Sequence, residues 1–247
     1  MSPAPFGPDA LHALVDALRS RIETVVVGKP EAVGTAVATF LAGGHLLIED
    51  VPGVGKTTLA LSLARCLDLT SSRIQFTADL MPTDVTGLSV YDQATREFRF
   101  HPGPVFAGIV VADEINRATP RTQSALLEAM GEGRVSVEGR TLDLPDPFMV
   151  VATQNPLDME GTFRLPEAQR DRFMTRLSIG YPDSKAESAM LLARSGADPV
   201  DSLVPVAVAD DVIRARRTVA GLYVDPAVAA YVVALVSATR TDPNLAL

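Results

Sequence analysis

The 247-residue chain has a single cysteine and no tryptophan. One thiol cannot close an intramolecular disulfide, so the fold must rest on packing. Cys66 falls among Leu59, Leu63 and Leu67 at helical spacing, which marks a buried, reduced thiol. Basic charge is scarce: 22 Lys and Arg face 30 Asp and Glu, for a net charge of -8. That balance argues against the broad basic footprint of a stand-alone nucleic-acid-binding surface and leaves room only for a local basic patch. No long apolar run is present either. The most apolar stretch, 36–48, is broken by Gly43, Gly44 and His45 and is shorter than the roughly 20 residues a bilayer span needs. The first eight residues are proline-rich and lack the basic start and apolar core of a signal peptide. There is no internal repeat and no low-complexity segment, and His12, His45 and His101 are too dispersed for a metal-binding array. A cytoplasmic protein without membrane insertion is expected.

With 47% hydrophobic and 21% charged residues, the composition is that of a folded globular chain. Its length suits one large α/β domain with a small appendage. Leu11, Leu14, Val15, Leu18 and Ile22 recur at three- and four-residue spacing and predict an amphipathic helix over 11–22. A second helix is expected over 30–41, with Pro30 in its first turn and Gly43-Gly44 stopping it. Five short apolar runs then read as strands: 46–49, 73–77, 108–112, 148–153 and 176–180. Helical stretches separate most of them, which predicts a parallel sheet covered on both faces with its ligand site beyond the carboxyl ends of the strands.

Two segments with period-two patterning predict inserted hairpins. In the first, Leu88 and Val90 are expected to face Phe98 and Phe100 across a polar turn at 92–95. In the second, Val135 and Val137 are expected to pair with Leu142 and Leu144 across Glu138-Gly139. Beyond Pro182 only helices are expected, including one capped by Asp225 with Pro226 at its first position. The predicted division is 1–182 for the core with its N-terminal helices and 183–247 for a small helical domain.

The chemistry concentrates at the predicted strand ends. Asp50-Val51-Pro52-Gly53-Val54-Gly55-Lys56-Thr57-Thr58 follows the first strand and opens a helix over 57–67. Glycines let backbone N–H groups approach phosphate oxygens, a lysine at Lys56 reaches the β- and γ-phosphates, and a hydroxyl at Thr57 suits Mg2+. Asp50 takes the place of the first glycine in G-x-x-x-x-G-K-[ST]. The run 109–114 is a buried strand ending in Asp113 and Glu114, a metal ligand and a water-activating base for the same triphosphate. The fourth strand leads into Asn155, whose amide suits the γ-phosphate or the attacking water, although an Asn before Pro156 also serves as a turn residue. Arg170 and Arg172 precede the last strand. Arg172 is the candidate finger on a neighbouring subunit's nucleotide, with Arg170 the alternative and an ion pair to Glu167 or Asp171 claiming one of them. Arg134 and Arg140 on the second hairpin could touch a polymer, but arginines in a turn are most often only solvated.

Taken together, Val27-Gly28-Lys29, the run 43–58, the run 112–118, the run 123–130, Ala152-Thr153-Gln154-Asn155-Pro156 and Leu165-Pro166-Glu167-Ala168-Gln169 resemble the MoxR family of AAA+ ATPases from Val26 onward. The resemblance implies a P-loop αβα core followed by a helical lid, ATP and Mg2+ as ligands, adenine contact near Val27 and Gly28, and hexameric rings that hydrolyse ATP at subunit boundaries. It further implies that the hairpins engage clients, and that the chain acts as a chaperone-like remodeller of protein partners, often ones with a von Willebrand factor A domain. The family's lid continues past Leu247 into a Gly-Ala-Ser-Pro-Arg-like segment, so only part of a lid is expected here. Two further readings stand beside this one: a nucleic-acid motor of the same clade, which the acidity disfavours, and a nucleotide-binding interaction module with little turnover.

Overall fold

The computed structural model describes residues 4–137, 139–156, 161–193 and 198–243. Two helices come first, α1 (Pro8–Glu23) and α2 (Pro30–Leu41). Pro30 opens α2 without sacrificing a bonded N–H. Its end is closed by Gly43 at φ 77°, with Gly43 N–H donating to Phe40 O and Gly44 N–H to Thr39 O. Only glycine adopts that left-handed turn readily.

The central layer is built from β1 (Leu46–Glu49), β2 (Ser71–Gln75), β5 (Ile109–Asp113), β8 (Met149–Gln154) and β9 (Thr175–Leu177). Between them run α3 (Lys56–Cys66), α4 (Pro82–Thr86), β3 (Gly87–Asp92), β4 (Glu97–Pro102), α5 (Pro120–Glu132), β6 (Arg134–Val137), β7 (Arg140–Asp143) and α6 (Glu167–Arg170). All five strands are parallel, in the order β2-β5-β8-β1-β9. The inner strands β1, β5 and β8 are almost wholly apolar because both of their faces are covered, whereas β2 and β9 at the edges carry polar residues.

Alternation along the strands divides the core into two. Leu46, Ile48, Ile109, Val111, Met149 and Val151 pack on one face with α1, α2 and α3. Leu47, Val110, Ala112, Val150 and Ala152 pack on the other with α4, α5 and the base of the second hairpin. Beyond Pro182 the described residues form only helices: α7 (Ser184–Ala193), a 3-10 turn at Pro199–Ser202, α8 (Ala209–Ala220) and α9 (Pro226–Thr241). Val200, Leu203, Ala207, Val212 and Ala215 join the core of α1–α3. Asp225 caps α9 as expected, accepting from Ala227 N–H at 2.8 Å.

Four expectations need correction. The second strand, expected over 73–77, runs over Ser71–Gln75, and Phe76 follows it with its N–H on Asp113 O. The first hairpin pairs Tyr91 with Phe98 and Ser89 with Phe100, while Leu88 and Val90 lie opposite His101 and Arg99. Leu88 and Val90 thus occupy the other face from the two phenylalanines, since a shift of one residue in register turns every side chain over. In the second hairpin Val135 does oppose Leu142, but Val137 opposes Arg140, and Leu144 lies past the strand, its N–H on Gly133 O; Glu138 lies outside the described residues. The last strand, expected over 176–180, ends at Leu177, because Ser178, Ile179 and Gly180 turn to donate to Asp50.

Candidate functional site

The sheet order sets β8 between β1 and β5, so the carboxyl ends of these three strands lie side by side. The register aligns Gln75 with Asp113, Ala112 with Ala152, and Thr153 with Ile48. One cleft across these ends is lined by Pro52, Lys56, Thr57, Arg73, Gln75, Asp113, Glu114, Thr153, Gln154 and Asn155. The candidate phosphate loop, the acidic pair and the candidate amide therefore converge.

The loop leaves β1 at Asp50 and enters α3 through Gly53 and Gly55, at φ 85° and 87°. Both are conformations that a Cβ would strain, and Gly55 aims the first-turn N–H groups of α3, with the positive end of the helix dipole, at the cleft. Val54 and Thr58 complete the loop and the first turn. Lys56 Nζ donates to the carbonyls of Asp50 and Val51 at 2.7 and 2.8 Å. Burial lowers its pKa below the usual lysine value, against the opposing pull of Asp50, Asp113 and Glu114.

Asp113 is nearly buried and anchors the middle of the site. Its Oδ1 accepts from Thr153 Oγ1 at 3.1 Å, while its Oδ2 accepts from Thr57 Oγ1 at 3.3 Å and from Arg73 Nε at 2.6 Å. Thr153 Oγ1 also accepts the N–H of Glu114 at 3.0 Å, so one hydroxyl orients both acidic residues. Glu114 adopts a left-handed backbone (φ 55°, ψ 48°), a strained choice for a residue with a Cβ. Its Oε2 meets Gln75 Nε2 at 2.9 Å and Arg117 Nε at 3.1 Å.

A hydroxyl and a carboxylate converging at Thr57 and Asp113 form a hard-oxygen donor set that fits Mg2+ shared with phosphate oxygens. Among the described residues no cluster of three or more His, Cys, Asp or Glu could hold a metal by itself. Behind the acidic pair, buried Gln123 donates its amide to the carbonyls of Ile115, Ala118 and Phe163, fixing the loop that follows Glu114.

Other candidates lie outside the cleft lining. Val27 and Gly28 precede α2, and Gly28 packs so tightly against α7 that a Cβ there would stand 2.8 Å from Ala186 Cβ. Arg172 donates to the Leu127 carbonyl and lies against Gly131, both on α5. Arg170 pairs with Glu167 at 3.7 Å. On the second hairpin Arg134 pairs with Glu132 at 3.2 Å, and Arg140 lines a separate depression with Ser89, Phe98, Phe100, Val137 and Leu142.

Arg73, Gln75 and Thr153 escaped the reading of the sequence. Their signal was available in part: Arg73 and Gln75 are alternate residues of one strand, and Thr153 is the last residue but one of another. Only the strand order brings them to Asp113 and Glu114.

The family of ATPases associated with various cellular activities (AAA) matches residues 45–175. YeaC of Bacillus subtilis is 47% identical over 237 residues, covering 96% of this chain and 74% of that protein. Chaperone MoxR1 of Mycobacterium tuberculosis is 43% identical over 246 residues, 98% of this chain, which spans 65% of that relative's length. A crystal structure of a protein from Cytophaga hutchinsonii, assigned as an ATPase, superposes with a TM-score of 0.85 at 36% identity, covering 93% of this chain and 70% of that one.

Proposed function

Because the chain belongs to the MoxR family of AAA+ ATPases, we propose that it binds ATP with Mg2+ in the cleft at the carboxyl ends of β1, β5 and β8. We propose further that it hydrolyses the γ-phosphate as a subunit of a homo-oligomeric, hexameric ring, and that turnover remodels a protein client. The observation that carries the reading is the convergence of Lys56 and Thr57 with Asp113, Glu114 and Asn155 on one cleft.

In this reading the N–H groups of Gly53, Val54, Gly55, Lys56, Thr57 and Thr58 cradle the phosphates, with Pro52 shaping the entry to the loop. Lys56 leaves the carbonyls of Asp50 and Val51 for the β- and γ-phosphate oxygens. Thr57 and Asp113 hold Mg2+, which supplies charge neutralisation at the transferring phosphoryl group when bound. Glu114 orients the attacking water and takes its proton, and Asn155 donates to the γ-phosphate or to that water. Val27 and Gly28 flank the base. Arg172 reaches a neighbouring subunit's nucleotide, where a guanidinium stabilises charge that develops only in the transition state. The client is a protein complex, and a von Willebrand factor A domain is the partner class to try first.

Phosphate release by the purified chain, set against Glu114→Gln, tests the proposal. Removing the base should slow turnover roughly 100-fold or more while ATP binding persists. Equal rates would remove Glu114 from the mechanism.

A further inference from the structure

Asp50 stands where the phosphate-loop pattern has a glycine, and it is 8% exposed. A buried carboxylate is costly unless hydrogen-bonded, and this one has four donors. Oδ1 accepts from Val51 N–H at 2.8 Å. Oδ2 accepts from Ser178 Oγ at 2.8 Å, Ile179 N–H at 2.8 Å and Gly180 N–H at 2.6 Å. Burial by itself would raise the pKa of Asp50, but the hydrogen bonds from Gly180, Ser178, Val51 and Ile179 outweigh it and hold the group below the usual aspartate value, hence ionised.

The three residues on Oδ2 belong to the segment that leaves β9 and leads to α7. That segment is gripped a second time: Lys29 Nζ donates to Tyr181 O at 2.6 Å, next to Gly28 packed on Ala186. The main chain of Asp50 also touches the site, its N–H on Gln154 O at 3.1 Å and its carbonyl on Lys56 Nζ at 2.7 Å. One residue thus joins the phosphate loop, the end of β8 and the strand exit toward the C-terminal helices.

We infer that Asp50 is a positioning residue whose carboxylate ties the phosphate loop to the segment 178–181, so that nucleotide binding and the path of the chain toward α7 are coupled. The inference rests on the reading that the Lys56 loop holds the triphosphate. When Lys56 turns to phosphate, the carbonyls of Asp50 and Val51 lose its ammonium, and the carboxylate tie then carries the anchoring of the loop's start. By linkage, whatever ordering the nucleotide confers on 178–181, that segment returns as nucleotide affinity. A glycine at position 50 restores the consensus loop yet strips an acceptor from Ser178, Ile179 and Gly180.

The test is amide hydrogen exchange on peptides covering 50–58 and 176–183, with and without Mg2+ and a non-hydrolysable ATP analogue. Wild type, Asp50→Asn, Asp50→Gly and Ser178→Ala are compared, together with calorimetric affinity for the analogue. In wild type the analogue should slow exchange in both peptides. Asp50→Gly should keep protection at 50–58, lose it at 176–183, and bind the analogue about tenfold more weakly, within the usual range of coupling between sites. Asp50→Asn, which keeps one acceptor oxygen, and Ser178→Ala, which leaves the loop sequence intact, should fall between. If the analogue protects 50–58 in wild type but not 176–183, or if Asp50→Gly behaves as wild type at 176–183, the coupling is wrong while nucleotide binding stands. If wild type shows no protection at 50–58, the phosphate-loop reading falls and the coupling with it.

Discussion

Gln75, the last residue of β2, donates its side-chain amide to Oε2 of Glu114 across the neighbouring strand at 2.9 Å. Arg117 shares the same oxygen at 3.1 Å. The candidate base is therefore aimed from two sides, and small misplacements of a catalytic group are expensive in rate. Gln75→Ala is expected to lower kcat about tenfold while changing ATP affinity less than about twofold, since Gln75 donates to no group of the phosphate loop. An unchanged kcat would mean that Glu114 does not need this bond.

Lys56 donates to the loop's own carbonyls, so removing its ammonium should cost little folding stability. Its loss should instead be felt by phosphate. Lys56→Ala is expected to weaken ATP binding roughly 100-fold or more by calorimetry with a Tm near wild type. Retained affinity would place the triphosphate elsewhere.

How far the sequence discloses this site depends on how each residue acts. Lys56 and Thr57 are readable because the candidate phosphate loop is a local structure, strand, glycine turn and helix following one another in the chain, and Asp113 and Glu114 because they close one apolar strand. Asn155 is readable as a strand-end amide. Gln75, Arg73 and Thr153 act across strands that are neighbours only in space, and Asp50 accepts from residues 178–180, more than 120 positions away. The inner strands are legible from apolar runs, whereas the edge strands β2 and β9 carry polar residues, and the last one ends where the chain turns to donate to the Asp50 carboxylate. The hairpin at 87–102 exposes Phe98 and Tyr91, so no burial pattern marks its faces, and apolar alternation alone suggests the wrong partners.

His45 joins three elements: its Nδ1 accepts Val150 N–H at 3.0 Å, which leaves the proton on Nε2 for the Met130 carbonyl at 3.1 Å. Burial lowers its pKa below the usual value of 6.5, opposed by the Met130 carbonyl and supported by Arg216. Between that lowered value and about 6.5 the folded protein thus binds fewer protons here than the unfolded chain, so stability falls as pH falls through that window. Above it both states are neutral and His45 adds no slope. Denaturant titrations should show stability dropping by up to about 1.4 kcal/mol per pH unit below 6.5 from this group, and His45→Gln should flatten that slope. An unaltered slope would mean that His45 takes up its proton in the fold as readily as in the unfolded chain.

Cys66 is fully buried on α3, and burial pushes its thiol up to about 11. The thiolate is the reactive form, and both its scarcity and its inaccessibility should block reaction. The native protein is expected to resist a disulfide reagent at pH 8 and to react once unfolded in guanidinium. Rapid labelling of the native state would show that α3, and with it the first turn carrying Lys56 and Thr57, opens readily.

Arg172 contacts α5 of its own chain and is absent from the lining of the cleft that holds Lys56 and Glu114. If it stabilises a transition state, it does so on a neighbour's nucleotide, and that arrangement has a signature. Arg172→Ala alone should leave ATP binding nearly intact and cut turnover by roughly 1,000-fold, as loss of a finger does. Glu114→Gln alone should be equally inactive. In a randomly mixed ring of equal parts, about a quarter of the interfaces would pair an intact Glu114 in one subunit with an intact Arg172 from the next, because a closed ring repeats one head-to-tail contact. Mixing the two inactive variants should therefore restore measurable phosphate release. The Tm of Arg172→Ala, measured alongside, registers the lost bond to the Leu127 carbonyl separately from catalysis. Recovery requires the finger to act across subunits; a mixture as inactive as its parts, from variants that still assemble, would confine Arg172 to bracing α5.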